Sequence, residues 1–280
     1  MTSNRVRATI VGLLLSTALV SGCAENNSNL IRDLENYTPE QIFERGEYEL
    51  STRDYEQGAY YFSEIERLYP YSEWSKRALI MQAFAHHQET NYEASRAAAQ
   101  RYIDFFPADQ DAAYAQYLLA LSYYDQIEDV GRDQGVTFQA LQSLRVVIEQ
   151  YPDSDYAPLA VARFDLAFDH LAAKEMEVGR YYLRRKHYGA AIKRFRSVVE
   201  DYQTTSHTAE ALHRLVEAYL SLGLTQEAQA AAAILGHNYQ ASEWYKSSYT
   251  LLTKQGLQPT ALGNNWLSQI YRQVLKGKWL

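Results

Sequence analysis

A helical stripe recurs five times in this chain, and five copies of one supersecondary unit leave few folds open. The copies read Tyr55, Gly58, Phe62, Ile65, Tyr69, then Tyr92, Ser95, Ala99, Tyr102, Phe106, then Thr137, Ala140, Leu144, Val147, Tyr151. The last two are Tyr188, Ala191, Phe195, Val198, Tyr202 and Thr225, Ala228, Ala232, Leu235, Tyr239. Offsets of 0, 3, 7, 10 and 14 put each set on one face of a helix. The closing aromatics are spaced by 37, 45, 51 and 37 residues. Pro70, Pro107 and Pro152 follow the first three and stop the helix there. Ser72, Ser154, Thr205 and Ser242, three residues past their aromatics, are the predicted N-caps of the next helices.

Small, bulky and proline positions on a period near 34 residues form the tetratricopeptide pattern. The expected fold is all-α: a right-handed superhelix of about five helix-turn-helix repeats over residues 39–245, with a C-terminal helical extension over 246–280. Two spacings are long. In the third copy the extra residues read as a polar loop, Asp125 to Gly135; in the fourth, the first helix is extended from about Pro158 through Arg184. Trp266, Leu267, Ile270, Tyr271, Val274 and Leu275 predict an amphipathic helix that caps the last repeat. Such a scaffold binds extended peptides or partner proteins and has no pre-built catalytic pocket. Six prolines and 13 glycines are too few for an all-β sandwich rich in tight turns. Twenty-seven basic against 34 acidic residues argue against nucleic acid as a partner. A single cysteine excludes an internal disulfide and a zinc site built on several thiolates.

That cysteine sits at a telling place. Residues 1–22 read as a secretory signal: Arg5 and Arg7, then an apolar run from Ala8 to Val20 that is short for a spanning helix. Val20-Ser21-Gly22-Cys23 resembles the bacterial lipobox. That resemblance implies a diacylglycerol thioether on Cys23, cleavage before it and acylation of the new amino terminus; the alternative is an ordinary signal peptide with an incidental cysteine. The covalent lipid is the only non-protein group implied. Ala24 in place of Asp, by resemblance to enterobacterial sorting, favours the outer membrane, and residues 23–38 become a lipidated tether. The processed chain keeps 25 basic and 34 acidic residues, a net charge of −9.

Lipobox, repeat number and long fourth-repeat helix together resemble the BamD family, the lipoprotein subunit of the β-barrel assembly machinery of Gram-negative outer membranes. The segments that carry the likeness are Arg67-Leu-Tyr-Pro-Tyr-Ser72, Arg101-Tyr-Ile-Asp-Phe-Phe-Pro107, and Glu177-Val-Gly-Arg-Tyr-Tyr182 leading to Tyr188 and Glu200-Asp-Tyr202. It covers about residues 24–245. It implies a non-enzymatic assembly factor, anchored in the outer membrane on the periplasmic side. It also implies docking on the POTRA domains of a BamA-type barrel subunit, other assembly lipoproteins as partners, and receipt of unfolded outer-membrane proteins by a C-terminal hydrophobic-aromatic signal. The competing reading is a periplasmic repeat lipoprotein that scaffolds peptidoglycan or envelope enzymes; co-purified partners tell the two apart.

Two surfaces are candidates for these contacts. Tyr60, Tyr61, Tyr71 and Trp74, with Tyr48 nearby, exceed what the stripe of the first repeats needs. They either line a substrate groove or pack between hairpins. Arg180, Arg184, Arg185, Lys186, Lys193, Arg194 and Arg196 are a basic cluster in an acidic chain. Arg184, Arg185, Lys193 and above all Arg194 are the expected docking residues, the alternative being a solvated helix face. His86-His87 are adjacent and so do not share a helix face, which is poor metal-ligand geometry. Asp125, Glu128, Asp129 and Asp133 lack the calcium-loop pattern. No metal site and no catalytic residue is expected, since no nucleophile–base motif stands out.

Overall fold

The structure, a computed structural model, describes residues 34–261 and 264–276. The expected signal segment, Cys23 and most of the tether lie outside the described residues. Every regular element among the described residues is helical. In order they are α1 (Pro39–Ser51), α2 (Tyr55–Leu68), α3 (Glu73–Gln88), α4 (Tyr92–Phe105), α5 (Ala112–Tyr124) and α6 (Gly135–Gln150). They continue with α7 (Tyr156–Arg184), α8 (Tyr188–Asp201), α9 (Thr208–Ser221), α10 (Thr225–Asn238), α11 (Glu243–Thr253) and α12 (Trp266–Val274). The chain divides into two compact units, one ending at Pro107 and the other beginning at Ala108. The first holds two antiparallel hairpins, α1–α2 and α3–α4. The second holds α5–α6, α7–α8 and α9–α10, followed by α11 and α12. None of these helices is long and apolar enough to cross a membrane.

The five stripes are the five second helices of the hairpins: α2, α4, α6, α8 and α10. Their seventh- and tenth-offset residues are wholly buried in every copy: Phe62 and Ile65, Ala99 and Tyr102, Leu144 and Val147, Phe195 and Val198, Ala232 and Leu235. The closing aromatic is the C-cap residue each time, with φ near −130°, and its N–H donates to the carbonyl four residues back. Ser72 and Ser242 cap α3 and α11 as expected, accepting from Ser75 N and Tyr245 N. Ser154 and Thr205 do not. Their hydroxyls instead donate to the freed carbonyls of Tyr151 (2.8 Å) and Tyr202 (2.7 Å), and Asp155 and His207 stand at the helix starts.

The first helix of a hairpin turns into the second by one repeated device. In hairpins one, two, four and five a single residue takes a left-handed conformation: Arg53, Thr90, Lys186 or Gly223. The next residue's N–H then reaches back five residues, as in Asp54 to Glu49 (2.9 Å) and His187 to Tyr182 (3.0 Å). This is the Schellman arrangement that satisfies the last carbonyls of a helix. Across two of the hairpins a glycine faces a stripe phenylalanine. A Cβ on Gly46 would lie 2.7 Å from the Phe62 ring, and one on Gly179 would lie 2.4 Å from Phe195. In hairpin two the same separation in sequence pairs Ala83 with Ala99, both wholly buried.

The two long spacings resolve as expected. Hairpin three has a loop between Tyr124 and Gly135, and α7 runs for 29 residues. Lys174 of α7 donates to the loop carbonyl of Gly131 at 3.0 Å. At the end of the chain α12 packs on α10, burying Leu267, Ile270 and Val274. Leu275 departs from the predicted apolar face: it follows the last helical residue and is 57% exposed. Trp266 donates its indole N–H to Tyr219 Oη at 3.1 Å, tying the cap to α9.

Candidate partner-binding surfaces

The four aromatics expected to line a groove differ in accessibility. Tyr61 is buried in the core of the first unit with Phe43, Phe62, Ile65 and Ala78, because α2 packs against both α1 and α3 and so buries two faces. It is a core residue rather than a groove residue. Trp74 lies half-buried against Phe43, with ring centroids 5.1 Å apart and the Arg77 guanidinium 4.7 Å above it. Tyr60 is half-buried beside Tyr61; burial first, and then the Glu64 carboxylate, pushes its phenol up. Tyr71 alone is fully exposed, in the turn between α2 and α3.

The basic cluster divides in the same way. Arg180 binds Glu210 at 2.9 Å, and Arg196 binds Glu200 at 2.8 Å while lying 4.6 Å over Trp266. Arg194, the expected leading docking residue, reaches both carboxylate oxygens of Glu175 on α7 at 3.1 Å. Its charge is therefore turned toward the hairpin. Arg184, Arg185 and Lys193 remain exposed. Arg185 lies 4.5 Å over the ring of half-exposed Tyr181, and no carboxylate of the described residues pairs with Arg184 or Lys193.

The acidic loop is occupied with its own backbone. Asp129 accepts from Gly131 N at 2.8 Å and Asp133 from Gly135 N at 2.9 Å, local turns that hold the loop together. His86 lies 3.7 Å from Glu89, and burial pushes its imidazole below the ordinary range despite that carboxylate. His87 meets the edge of Tyr92.

Sequence reasoning missed two features of the second unit. The first is a cleft of about 340 Å³ between α6 and α7, lined by Phe138, Arg145, Phe164, Phe168, Leu171 and Tyr202 among others. Phe164 and Phe168 stack at 5.8 Å, Phe168 meets Tyr202 at 5.0 Å, and Arg145 stands 5.6 Å over Phe164. Phe164, Phe168 and Leu171 recur at helical spacing on α7, which was the available signal. The second is a polar chain through α7, α9 and α11. Glu210 binds both Arg180 and Arg214, Arg214 binds Glu217 at 2.8 Å, and His213 touches Glu217 and, at 2.8 Å, the wholly buried Ser248. Burial alone would raise the Glu217 carboxyl; hydrogen bonds from His213 and Arg214 outweigh it and hold the group below its ordinary value.

Comparison with known proteins fits this frame of helical hairpins. A family model described as YfiO, outer membrane lipoprotein, matches residues 35–234. The outer membrane protein assembly factor BamD of Caulobacter vibrioides is 42% identical over 252 residues, covering 90% of this chain and 83% of that protein. BamD of Rickettsia prowazekii is 39% identical over 241 residues, 85% of this chain and 96% of its own length. BamD of Neisseria meningitidis serogroup A is 26% identical over 242 residues. These relatives are assembly factors, not enzymes. With a family model matched over residues 35–234 and two relatives covered to 83% and 96% of their own length, the chain belongs to the BamD (YfiO) family of outer-membrane lipoproteins.

Proposed function

We propose that the chain is a non-enzymatic assembly factor for outer-membrane β-barrel proteins, held at the periplasmic face of the outer membrane by lipid on Cys23. The observation that carries this reading is 42% identity to an assembly factor over 90% of the chain. Exposed Arg184, Arg185 and Lys193 supply the docking charge for an acidic face on a POTRA domain of a BamA-type subunit. Arg194 acts behind them by fixing α8 on α7. Close charge pairs across an interface are worth about 1.5–7 kcal/mol, and exposed rim pairs far less.

Unfolded outer-membrane proteins are received, in this reading, by the α6–α7 cleft. Stacked aromatic rings accept the apolar side chains of an extended strand, and Arg145 stands ready for its carboxylate end. Co-purification from detergent extract tests the docking surface. The triple variant Arg184→Glu, Arg185→Glu, Lys193→Glu should lose the POTRA-bearing subunit at an unchanged melting temperature; recovery of murein hydrolases in place of a barrel subunit would favour an envelope-enzyme scaffold. For the substrate, a peptide copying a last barrel strand should crosslink to probes at Phe138 and Phe164 and not to probes at Tyr60.

A further inference from the structure

The two ends of the first unit differ in kind. At one end lie the start of α1, the α2–α3 turn and the end of α4. Three contacts set them level. Tyr69 Oη donates to the carbonyl of Tyr37 at 2.6 Å, so the chain preceding α1 runs beside the α2–α3 turn. Tyr37 N in turn donates to Leu34 O at 3.1 Å. Arg101 binds Glu66 at 3.0 Å, which brings the last turns of α2 and α4 side by side. Two large aromatics project from this end, Tyr71 at 101% exposure and Phe105 at 67%. At the opposite end the turns Thr52-Arg53-Asp54 and Glu89-Thr90-Asn91 are polar or charged throughout, and one exposed aromatic, Tyr48, stands beside them on the last turn of α1.

The aromatic end is also where the chain enters from its amino terminus. Ten residues separate Cys23 from Leu34, a span of at most about 40 Å even fully extended. Tyrosine and other amphipathic rings favour the water–hydrocarbon boundary, where the ring is apolar and the hydroxyl stays wet. Exposed Glu35, Glu40, Glu73 and Asp104 stand at this end, and Arg67 there is paired to Glu64, so the end suits zwitterionic rather than anionic headgroups.

We propose that this end of the first unit rests on the lipid surface, with Tyr71 and Phe105 seated in the headgroup layer. The acyl anchor supplies the holding energy and the rings supply an orientation. Tyr71 is thus a membrane contact rather than part of a substrate groove. The proposal rests on the anchoring of residue 23 in the reading above.

The test separates the two. The full chain from Cys23 onward is coupled through its single thiol to a maleimide lipid in phosphatidylcholine–phosphatidylethanolamine vesicles, so the anchor is supplied chemically. A photo-crosslinking residue is placed at 71, at 105, or at the control positions 48, 53 and 90. Position 48 holds another exposed tyrosine, on the last turn of α1 at the far end. Lipid adducts at 71 and 105 should exceed those at 48, 53 and 90 several-fold, persist in high salt and fall on anionic vesicles. Equal adducts at both ends, adducts at neither, or a switch from lipid to protein adducts at 71 when a purified barrel subunit is included would overturn the proposal. Whether Cys23 carries acyl chains in cells is read separately by mass spectrometry, and its failure would remove the anchor without changing the vesicle result.

Discussion

The first unit carries a surplus of aromatic residues, and the α7–α8 hairpin of the second carries a surplus of cations. Both surpluses look like binding surfaces when residues are counted, and both are largely consumed by packing. Tyr61 and Trp74 enter the contacts among α1, α2 and α3; Arg180, Arg194 and Arg196 enter ion pairs with Glu210, Glu175 and Glu200. What stays available is small and sits at edges: Tyr48, Tyr71 and Phe105 in one unit, Arg184, Arg185, Lys186 and Lys193 in the other. A helix inside a repeat array is covered on two sides, so a residue next to the stripe is as often buried as the stripe itself. The difference lies in how each region would fail. The first unit depends on rings filling space, and the second on rings and charge together.

The largest effect comes where the two regions share a device. Gly46 and Gly179 each face a stripe phenylalanine, but the gap is tighter in the second unit. Gly179→Ala puts a methyl 2.4 Å from the Phe195 ring, and the ring sits in the middle of the packed core of that unit. Overpacking of this kind costs about 1–3 kcal/mol. Urea midpoints should show Gly179→Ala more damaging than Gly46→Ala, where the ring is 2.7 Å away. Gly179→Ala combined with Phe195→Ala copies the Ala83 and Ala99 arrangement of hairpin two. The second change should cost less in the Gly179→Ala background than alone, and strictly additive costs would mean the two side chains do not compete for space.

Acid should take the two regions apart in different windows. His86 in α3 has its pKa lowered, chiefly by burial. The unfolded chain then protonates first as pH falls through about 6.5, so the first unit loses stability from there down to the lower folded value. Glu217 in α9 is also lowered, its bonds to His213 and Arg214 outweighing burial. Its contribution is fully present above the ordinary carboxylate range and is lost only as pH falls through the depressed folded value. Hydrogen exchange followed against pH should show α3 and α4 loosening before α9 and α11. His86→Gln should abolish the early window and Glu217→Gln the late one; an early window that survives His86→Gln would assign it to another group.

The repeats were legible in the sequence because a buried face needs the same period in every copy, and offsets 7 and 10 are wholly buried in all five. The long α7 was legible for the same reason. The capping roles of Ser154 and Thr205 were not, since a hydroxyl at that spacing has two acceptable uses and the local backbone decides between them. Nor was the pairing of Arg194 with Glu175, which depends on how α7 and α8 align, a register that no local spacing reports. The α6–α7 cleft escaped because its rings come from two helices, Phe138 on α6 with Phe164 and Phe168 on α7, and from Tyr202, a stripe residue already assigned to packing.

Charge offers a smaller contrast within the second region itself. Arg194→Glu places two carboxylates where an ion pair stood, with the Arg194 side chain 42% exposed and Glu175 21% exposed. The loss should be about 1 kcal/mol or less, given the solvent around the pair. Lys193→Glu, one residue away with no carboxylate partner among the described residues, should leave the melting temperature unchanged and weaken partner recovery. Arg194→Glu with Glu175→Arg should restore stability. Were Arg194→Glu neutral for stability and Lys193→Glu costly, the division between holding and docking residues would be reversed.

The smallest effect concerns the hairpin turns, where both regions use one left-handed residue and differ only in which residue it is. Gly223 fills that position without a steric penalty, while Thr90 holds φ at 63° with a β-branched side chain. A side chain in this region crowds the following carbonyl, and branching at Cβ makes it worse. Thr90→Gly removes that strain in the folded state but also loosens the unfolded chain, so the net gain should be only about 0.5–1 kcal/mol. Lys186→Gly, with an unbranched side chain at 61°, should gain less. Gly223→Ala should lose a comparable amount. Differential scanning calorimetry should place Thr90→Gly about 2–4 °C above the parent chain at the upper end of that gain. A fall in melting temperature for Thr90→Gly would mean that the threonine side chain makes a contact that outweighs its strain, and that the turns of the two regions are not one device after all.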